Sequence, residues 1–410
     1  MKQKIKNPLL RRIPRELLGD WRKYLVVSLF LILTIGFVSG MYVANESMLS
    51  AADKGSDIYK LEDGHFELSE KADEKLLSAI ASGEKADVKE YYLESAKKET
   101  AVAAMLFSAV EQAKQSEAYT EAYDAAYIEA YSSAYDEAYK ASYDDAWNEI
   151  LEEIDRKYAD AEEKYQLNDP EFGSVPTKIY ENFYRNEEED NNNDGTTDGT
   201  VRVFTKTDSI NLACLMDGRF PESADEIAVD RMHANNVGIK VGEIITIGKK
   251  TWKVVGLIAY VNYSTLHEKN TDLMFDALKF NVAMVTEEGF SSLEKSIHYA
   301  YAWKYENSPE NETEEKKLAD NFLKTVLTQA VVNENEIEDY LPAYANQAIH
   351  FATDDMGSDK AMGGVLLDIL IVIIAFIFAV TISNTIAKES KTIGTLRASG
   401  YTRGELLRPR

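Results

Sequence analysis

Cysteine is almost missing from this chain. Cys214 is the only one in 410 residues, so no disulfide can staple the fold from within. A lone cysteine in a strand-rich segment reads as a small core hydrophobe. No G-x-x-x-x-G-K-[ST] occurs, which excludes ATP hydrolysis by a P-loop of its own. Histidine is scarce: His65, His233, His267, His298 and His350 lie far apart, with no H-E-x-x-H or metal-spaced pair. Positive charge is in deficit, with 45 Lys and Arg against 70 Asp and Glu, for a net of −25. That balance argues against nucleic acid as a partner. Acids are also too many for any two to stand out as a catalytic pair. Glycine and proline vanish between residues 84 and 169, which removes the usual helix breakers from that stretch. No cofactor is expected, and the chain reads as non-catalytic.

Two apolar runs stand out against this acidic background. Tyr24–Met41 holds 18 residues without a charge, and Val365–Ile386 holds 22 with only Asp368 charged. A helix rises 1.5 Å per residue, so about 20 apolar residues cross the hydrocarbon of a bilayer. Neither run alternates with polar residues at the helical period, as a half-buried globular helix would. The first run is read as an anchor, with a cleaved signal peptide as the alternative. Lys and Arg gather beside both runs. Residues 1–23 carry eight (Lys2, Lys4, Lys6, Arg11, Arg12, Arg15, Arg22, Lys23) against two acids, and residues 386–410 carry six against two. Juxtamembrane Lys and Arg stay in the cytoplasm, so both tails are expected inside and the stretch between the spans outside. Leu10, Ile13, Leu17 and Trp21 share one helical face, with Pro14 near the start and Arg11, Arg15 and Arg22 toward headgroups. This pattern predicts an interfacial helix over 1–23, or else an unstructured basic leader.

The outer stretch reads as an α/β domain with a helical insertion. The expected segments are a first part over 45–97, an insertion over 98–168 and a second part over 169–362. Membrane helices are expected at 24–44 and 363–387, and a cytoplasmic helix over 388–410. His65–Leu68 reads as a strand followed by a helix with Ser69 as N-cap. Val88–Ser95 and Thr200–Thr205 read as strands. The stretch from Asp217 to Leu266 alternates Val, Ile and Thr runs with Gly and Asn, signalling strands and turns.

Within the insertion an aromatic falls at every fourth position: Tyr119, Tyr123, Tyr127, Tyr131, Tyr135, Tyr139, Tyr143 and Trp147, most of them preceded by Ala. On a helix of 3.6 residues per turn, a repeat of four drifts about 40° each step, so the stripe winds around the helix. Residues 98–168 are thus expected to form one or two long helices. Two readings stay open: a docking surface for an extracellular or cell-wall partner, or a self-packing, coiled-coil-like hairpin that extends the domain. Further on, Asp190, Asn192, Asp194, Gly195 and Asp198 match the opening of a calcium loop, in which alternate oxygens suit a hard cation. Position twelve is Val201, where a bidentate Glu is needed, so a solvated linker is the favoured reading and no metal is assigned.

The last 25 residues carry the clearest motif. Ile393-Gly394, Leu396-Arg397-Ala398 and Gly400-Tyr401 follow the second apolar run, and the block resembles the signature of the FtsX-like permease family of ABC transporters. Thr392 stands where that family usually has Glu. Gly218-Arg219 with Pro221, Glu226-Ile227-Ala228-Val229, Val241-Gly242 and Trp252-Lys253-Val254-Val255-Gly256-Leu257 resemble, in order, the extracytoplasmic domain of MacB-like permeases. The resemblance implies a membrane protein of α+β class with two transmembrane helices flanking that domain. It implies a separate or fused ABC ATPase, a second permease copy or half, and ATP-driven motion passed across the membrane, or export of a peptide- or lipid-like substrate. It places ATPase coupling on Glu389, Ile393, Gly394, Leu396, Arg397, Gly400, Tyr401 and Arg403, with Arg397 and Arg403 contacting the ATPase or headgroups and Gly394 and Gly400 permitting close helix approach. Such permeases have further spans after this point, so the chain is expected to be a fragment or a truncated product. The long insertion points to the Gram-positive branch. The rival reading is a membrane-anchored binding or sensor module for an extracellular peptide or cell-wall partner.

Overall fold

The computed structural model describes residues 21–118, 125–165 and 173–404. The interfacial helix expected over 1–23 therefore lies outside the described residues up to 20. One compact unit is Tyr59–His350, and the described residues on either side of it form a second.

The flanking unit consists of two helices, α1 (Trp21–Ile58) and the greater part of α8 (Gln347–Ala398). Both are long and apolar enough to cross a membrane, with mean hydropathy of 2.2 and 3.1 over their best windows. Their apolar side chains are not buried by protein: Leu33, Phe37, Val372 and Phe376 are all at least 65% exposed. A soluble core helix would hide them. The helices outrun the expected spans, α1 continuing to Ile58 past the expected end at 44 and α8 beginning at Gln347. They meet where side chains vanish. A Cβ at Gly363 would stand 2.1 Å from Met41 Cε, and one at Gly364 would stand 2.9 Å from the Tyr42 hydroxyl. Small residues let membrane helices approach in this way. Lys360 pairs with Glu46 close by.

The Tyr59–His350 unit holds two sheets. The smaller is antiparallel, in the order β11 (Ile337–Pro342), β1 (Gly64–Leu68), β10 (Tyr299–Tyr305), β2 (Thr177–Glu181). Its core is aromatic: Phe66, Tyr301 and Trp303 are fully buried against α2 (Glu74–Ala81) and α7 (Glu312–Val332), which adds the fully buried Phe322. The larger sheet runs β5 (Ala213–Gly218), β8 (Lys250–Tyr260), β6 (Glu226–Asp230), β9 (Phe280–Val285), β4 (Gly199–Thr205), β3 (Tyr184–Asp190), β7 (Ile244–Ile247). Because β7 pairs with both β3 and β8, six of these strands close on themselves, and β5 hangs on the outer side of β8. Closure removes the exposed edges that an open sheet must protect. Val201, Val203, Ile227, Val229, Trp252 and Val254 fill the interior, contributed by alternate positions along their strands. The stretch from Asp217 to Leu266 forms the end of β5, then β6, β7 and β8. Arg219 grips the Glu226 carboxylate with both terminal nitrogens, Nη1 at 2.8 Å, and Asp230 caps α5 (Arg231–Val237).

Several expectations need correction. The segment 88–95 is not a strand: it opens helix α3 (Val88–Ala118), because Asp87 Oδ1 accepts the Glu90 N–H at 2.9 Å and an Ala-rich run follows. Helix α3 is followed in the described residues by α4 (Ala125–Tyr165). Tyr119 and Tyr123 lie outside the described residues, Tyr127, Tyr131, Tyr135, Tyr139 and Tyr143 fall within α4, and Trp147 is half-buried. The roots of the two helices meet where Lys89 Nζ lies 2.6 Å from Asp155 Oδ1. Asp73, not Ser69, caps α2 by accepting the Leu76 N–H at 2.7 Å, while Ser69 donates to Asn335. Cys214 is half-buried, not core, and the Tyr59 hydroxyl donates to its sulfur at 2.8 Å. The stretch 190–198 is a hairpin loop between β3 and β4, not a linker. Asp190 accepts the Asp194 and Gly195 N–H groups, Asn192 also accepts from Asp194, and Asp198 accepts from Asn191. The loop's own backbone thus engages these oxygens.

Candidate functional site

Two places in the chain carry candidate function. The first is the end of α8. Ile393 and Leu396 are half-buried, whereas Gly394, Arg397, Tyr401 and Arg403 are exposed, and Glu389 lies on the same helix. The helix stops at Ala398. Gly400 takes a left-handed φ of +97°, and the Tyr401 N–H reaches back to the Leu396 carbonyl at 3.1 Å. Glycine pays no Cβ penalty in this conformation and so ends helices. Nothing lies within 4 Å of a Cβ built at Gly394 or Gly400. Within the described residues α8 comes close to α1 at Gly363 and Gly364. Gly400 ends the helix in this structure.

The second place is a cleft of about 290 Å³ within Tyr59–His350, where the two sheets face each other. It grows from one cross-sheet contact. Tyr184, at the head of β3, forms an isolated bridge with His298, and their rings stack at 4.5 Å and 4°. The Tyr184 hydroxyl donates to Glu67 Oε2 at 2.8 Å, and His298 Nδ1 lies 2.5 Å from Glu67 Oε1. Glu67 comes from β1, so this trio joins the smaller sheet to the closed one. Burial alone would raise the Glu67 pKa, but the bonds from His298 and Tyr184 outweigh it and hold the carboxyl below its usual range.

Arg202 sits beside the trio. It alternates with the buried Val201 and Val203, so its side chain leaves the strand on the opposite side. Its guanidinium lies 4.3 Å from the Tyr184 ring centre. It donates to Asn186 Oδ1 at 3.1 Å, to the Tyr263 hydroxyl at 2.8 Å and, at 3.4 Å, to the Glu268 carbonyl. Among the described residues no carboxylate lies within ion-pair distance of it. Asn262 also faces the cleft; it is 5% exposed, and its Oδ1 has no hydrogen-bond partner among the described residues. His65 and His267 complete that wall. Burial would lower the His65 pKa, but the Glu62 carboxylate 2.7 Å away raises it, whereas burial lowers that of His267. Nothing in the sequence brings these residues together, although a lone Arg inside the Val-rich run 200–205 marks a strand with one polar face.

The ligand atoms of Glu67, His298 and Glu338 lie within 4.8 Å of one another, although both Glu67 oxygens already accept hydrogen bonds. These three converge from distant stretches of sequence.

No family model matches the chain, and no curated protein does. Among solved structures it is similar to the periplasmic region of MacB from Actinobacillus actinomycetemcomitans, with 10% identity and a TM-score of 0.25, over 42% of this chain and 75% of that one. It is also similar to the extracellular domain of the noncanonic ABC-type transporter YknZ from Gram-positive bacteria, with 12% identity and a TM-score of 0.24, over 42% and 86%. At TM-scores of this size neither likeness carries an argument about fold or activity.

Proposed function

We propose that the chain is the non-catalytic permease subunit of an ABC transporter, with both tails cytoplasmic and the Tyr59–His350 unit extracellular. A partner ATPase hydrolyses ATP and presses on the basic end of α8, through Glu389, Ile393, Gly394, Leu396, Arg397, Gly400, Tyr401 and Arg403. The observation that carries this reading is a single helix, α8, unbroken from Gln347 through the apolar run to the signature at Ala398. An uninterrupted hydrogen-bonded helix transmits displacement along its axis better than a jointed one. A second permease copy or half completes the assembly. Helices α3 and α4 act as a coiled-coil-like hairpin, either packing on themselves through the Tyr repeat or presenting it to an extracellular partner. Membrane lipid covers the apolar faces of α1 and α8.

The test is co-purification with a nucleotide-binding subunit. Replacing Arg397 with Glu, or Gly400 with Val, is expected to weaken that association while leaving the outer unit folded. An ATPase that associates equally with both variants sinks the coupling role of this helix. A second reading, a bitopic sensor, is favoured by the cleft around Arg202; it predicts that no ATPase comes down with the chain.

A further inference from the structure

The cleft contains two chemical deficits of opposite kind. Arg202 carries five N–H donors and a permanent charge, yet among the described residues three acceptors reach it and none is a carboxylate. Burial works against the charged form and Tyr263, Tyr184 and Glu67 favour it, but Glu67 has committed both oxygens to His298 and Tyr184. A half-buried guanidinium without an anion is costly unless something supplies one. Asn262 has the converse problem: a buried acceptor oxygen that meets no donor.

We propose that this cleft binds the carboxylate of a free amino acid or of a peptide C-terminus, with Arg202 taking the carboxylate and Asn262 Oδ1 accepting an N–H from the same ligand. One molecule that offers an anion and an N–H donor on neighbouring atoms relieves both deficits together. The remaining lining agrees. Lys269 adds a cation to the lining, and Glu268 and Asp339 add two acidic residues. Two cationic and two anionic side chains suit a ligand carrying both signs better than a simple anion. The volume of about 290 Å³ lies at the small end of ligand pockets and suits one or two residues. Phe204, Leu341 and Ala348 give the cleft an apolar side for a side chain. This inference stands apart from the permease reading, since it needs neither an ATPase nor a membrane.

The experiment uses the full chain in detergent micelles and saturation-transfer NMR with three probe sets: the proteinogenic L-amino acids, a set of N-acetylated dipeptide acids, and the same dipeptides as C-terminal amides. Binding is expected from the first or the second set and not from the third. The amino acids alone would identify a free amino acid as the ligand; the dipeptide acids would identify a chain terminus. Asn262→Ala and Arg202→Gln should each weaken the binding acid about tenfold or more, the loss of one hydrogen bond to a charged or buried group. Because Arg202 also supports Tyr184 and Tyr263, Asn262→Ala decides if Arg202→Gln melts early. Amides that bind as well as acids overturn the proposal, as does binding indifferent to Asn262→Ala. Silence from all three sets at millimolar concentration overturns it too.

Discussion

Phe376 and Trp303 are both large aromatic residues inside regular elements, yet Phe376 is 70% exposed and Trp303 is fully buried. Trp303 is enclosed by Phe66, Phe322, Tyr305 and Tyr340, with ring centres 5.0 to 6.4 Å away. Phe376 belongs to a helix whose apolar window has none of its residues buried by the rest of the protein. One region satisfies its apolar side chains internally and the other leaves them to the solvent around it. The same apolar chemistry therefore yields a packed core in one unit and, in the other, an exposed apolar surface of membrane-crossing length.

This contrast can be broken most decisively by topology. In a Cys214→Ser background, a cysteine at Ser133 should react with an impermeant thiol reagent in intact cells, and one at Ser399 should react only after lysis. Labelling of position 399 without lysis would place the basic end of α8 outside and undo the assignment of tails and outer unit.

Next in size is truncation of the two aromatics. Trp303→Ala should cost about 3–5 kcal/mol in the melting of the outer unit, because the cavity cannot collapse beneath four surrounding rings. Phe376→Ala should leave that melting unchanged and cost only a few tenths of a kcal/mol in membrane insertion. Comparable losses at both sites in detergent would mean that α8 is packed by protein after all.

The third prediction separates two carboxylates through pH. Burial pushes the Asp230 pKa up to about 6, although the Met232 and His233 N–H groups and the His233 ring oppose it. A raised carboxylate contributes stability that is complete below its unfolded value, near 4, and is lost as pH rises through about 6. Asp230→Asn should therefore remove that loss and gain about 2 kcal/mol at pH 7 if the amide keeps the cap. Glu226 is opposite: the Arg219 guanidinium, with N–H donors from Glu222 and Ser223, holds it down near 2. Its contribution is present above about pH 4 and fades as pH falls toward 2. Urea melts at pH 2.5 and 4 read the Glu226 slope, and melts at pH 4, 5.5 and 7 read that of Asp230. Equal slopes for Asp230→Asn and the parent would refute the Asp230 assignment.

The smallest effect concerns the flanking helices. Gly363→Leu should push the flexible end of Met41 aside and cost about 1 kcal/mol or less of helix pairing, whereas Gly394→Leu should be silent there because nothing stands within 4 Å. Disulfide trapping between cysteines at Glu46 and Lys360 reads the pairing. Equal trapping in both variants would show that the glycine contact is dispensable.

What could be read in advance follows from how local each signal is. The two apolar runs were legible because a span needs nothing beyond its own composition. Strands β4, β6 and β8 were legible because Val and Ile recur there between Gly and Asn. Residues 88–95 misled because Val88, Tyr91, Tyr92 and Leu93 favour strands, yet the Ala-rich run that follows and the cap at Asp87 recruit them into a helix. Gly363 and Gly364 gave no warning, since glycine inside an apolar run marks a contact only once its partner helix is known. The cleft was illegible for a different reason. Arg202, Asn262 and Asp339 come from separate strands and turns, brought face to face by the pairing of Tyr184 with His298 and by the bonds of Ser264 and Thr265 to Ala348.

Lys89 and Asp155 meet at the root of the insertion, where Ala86 and Glu84 are also tied to Thr328 and Gln329 of α7. From Asp155 helix α4 reaches back 30 residues to Ala125, which at 1.5 Å each gives an arm about 45 Å long. A tilt of about 5° at such a root sweeps the far end through about 4 Å. The geometry makes the insertion an amplifier: motions too small to notice in the sheets become displacements at its tip that a second molecule could feel.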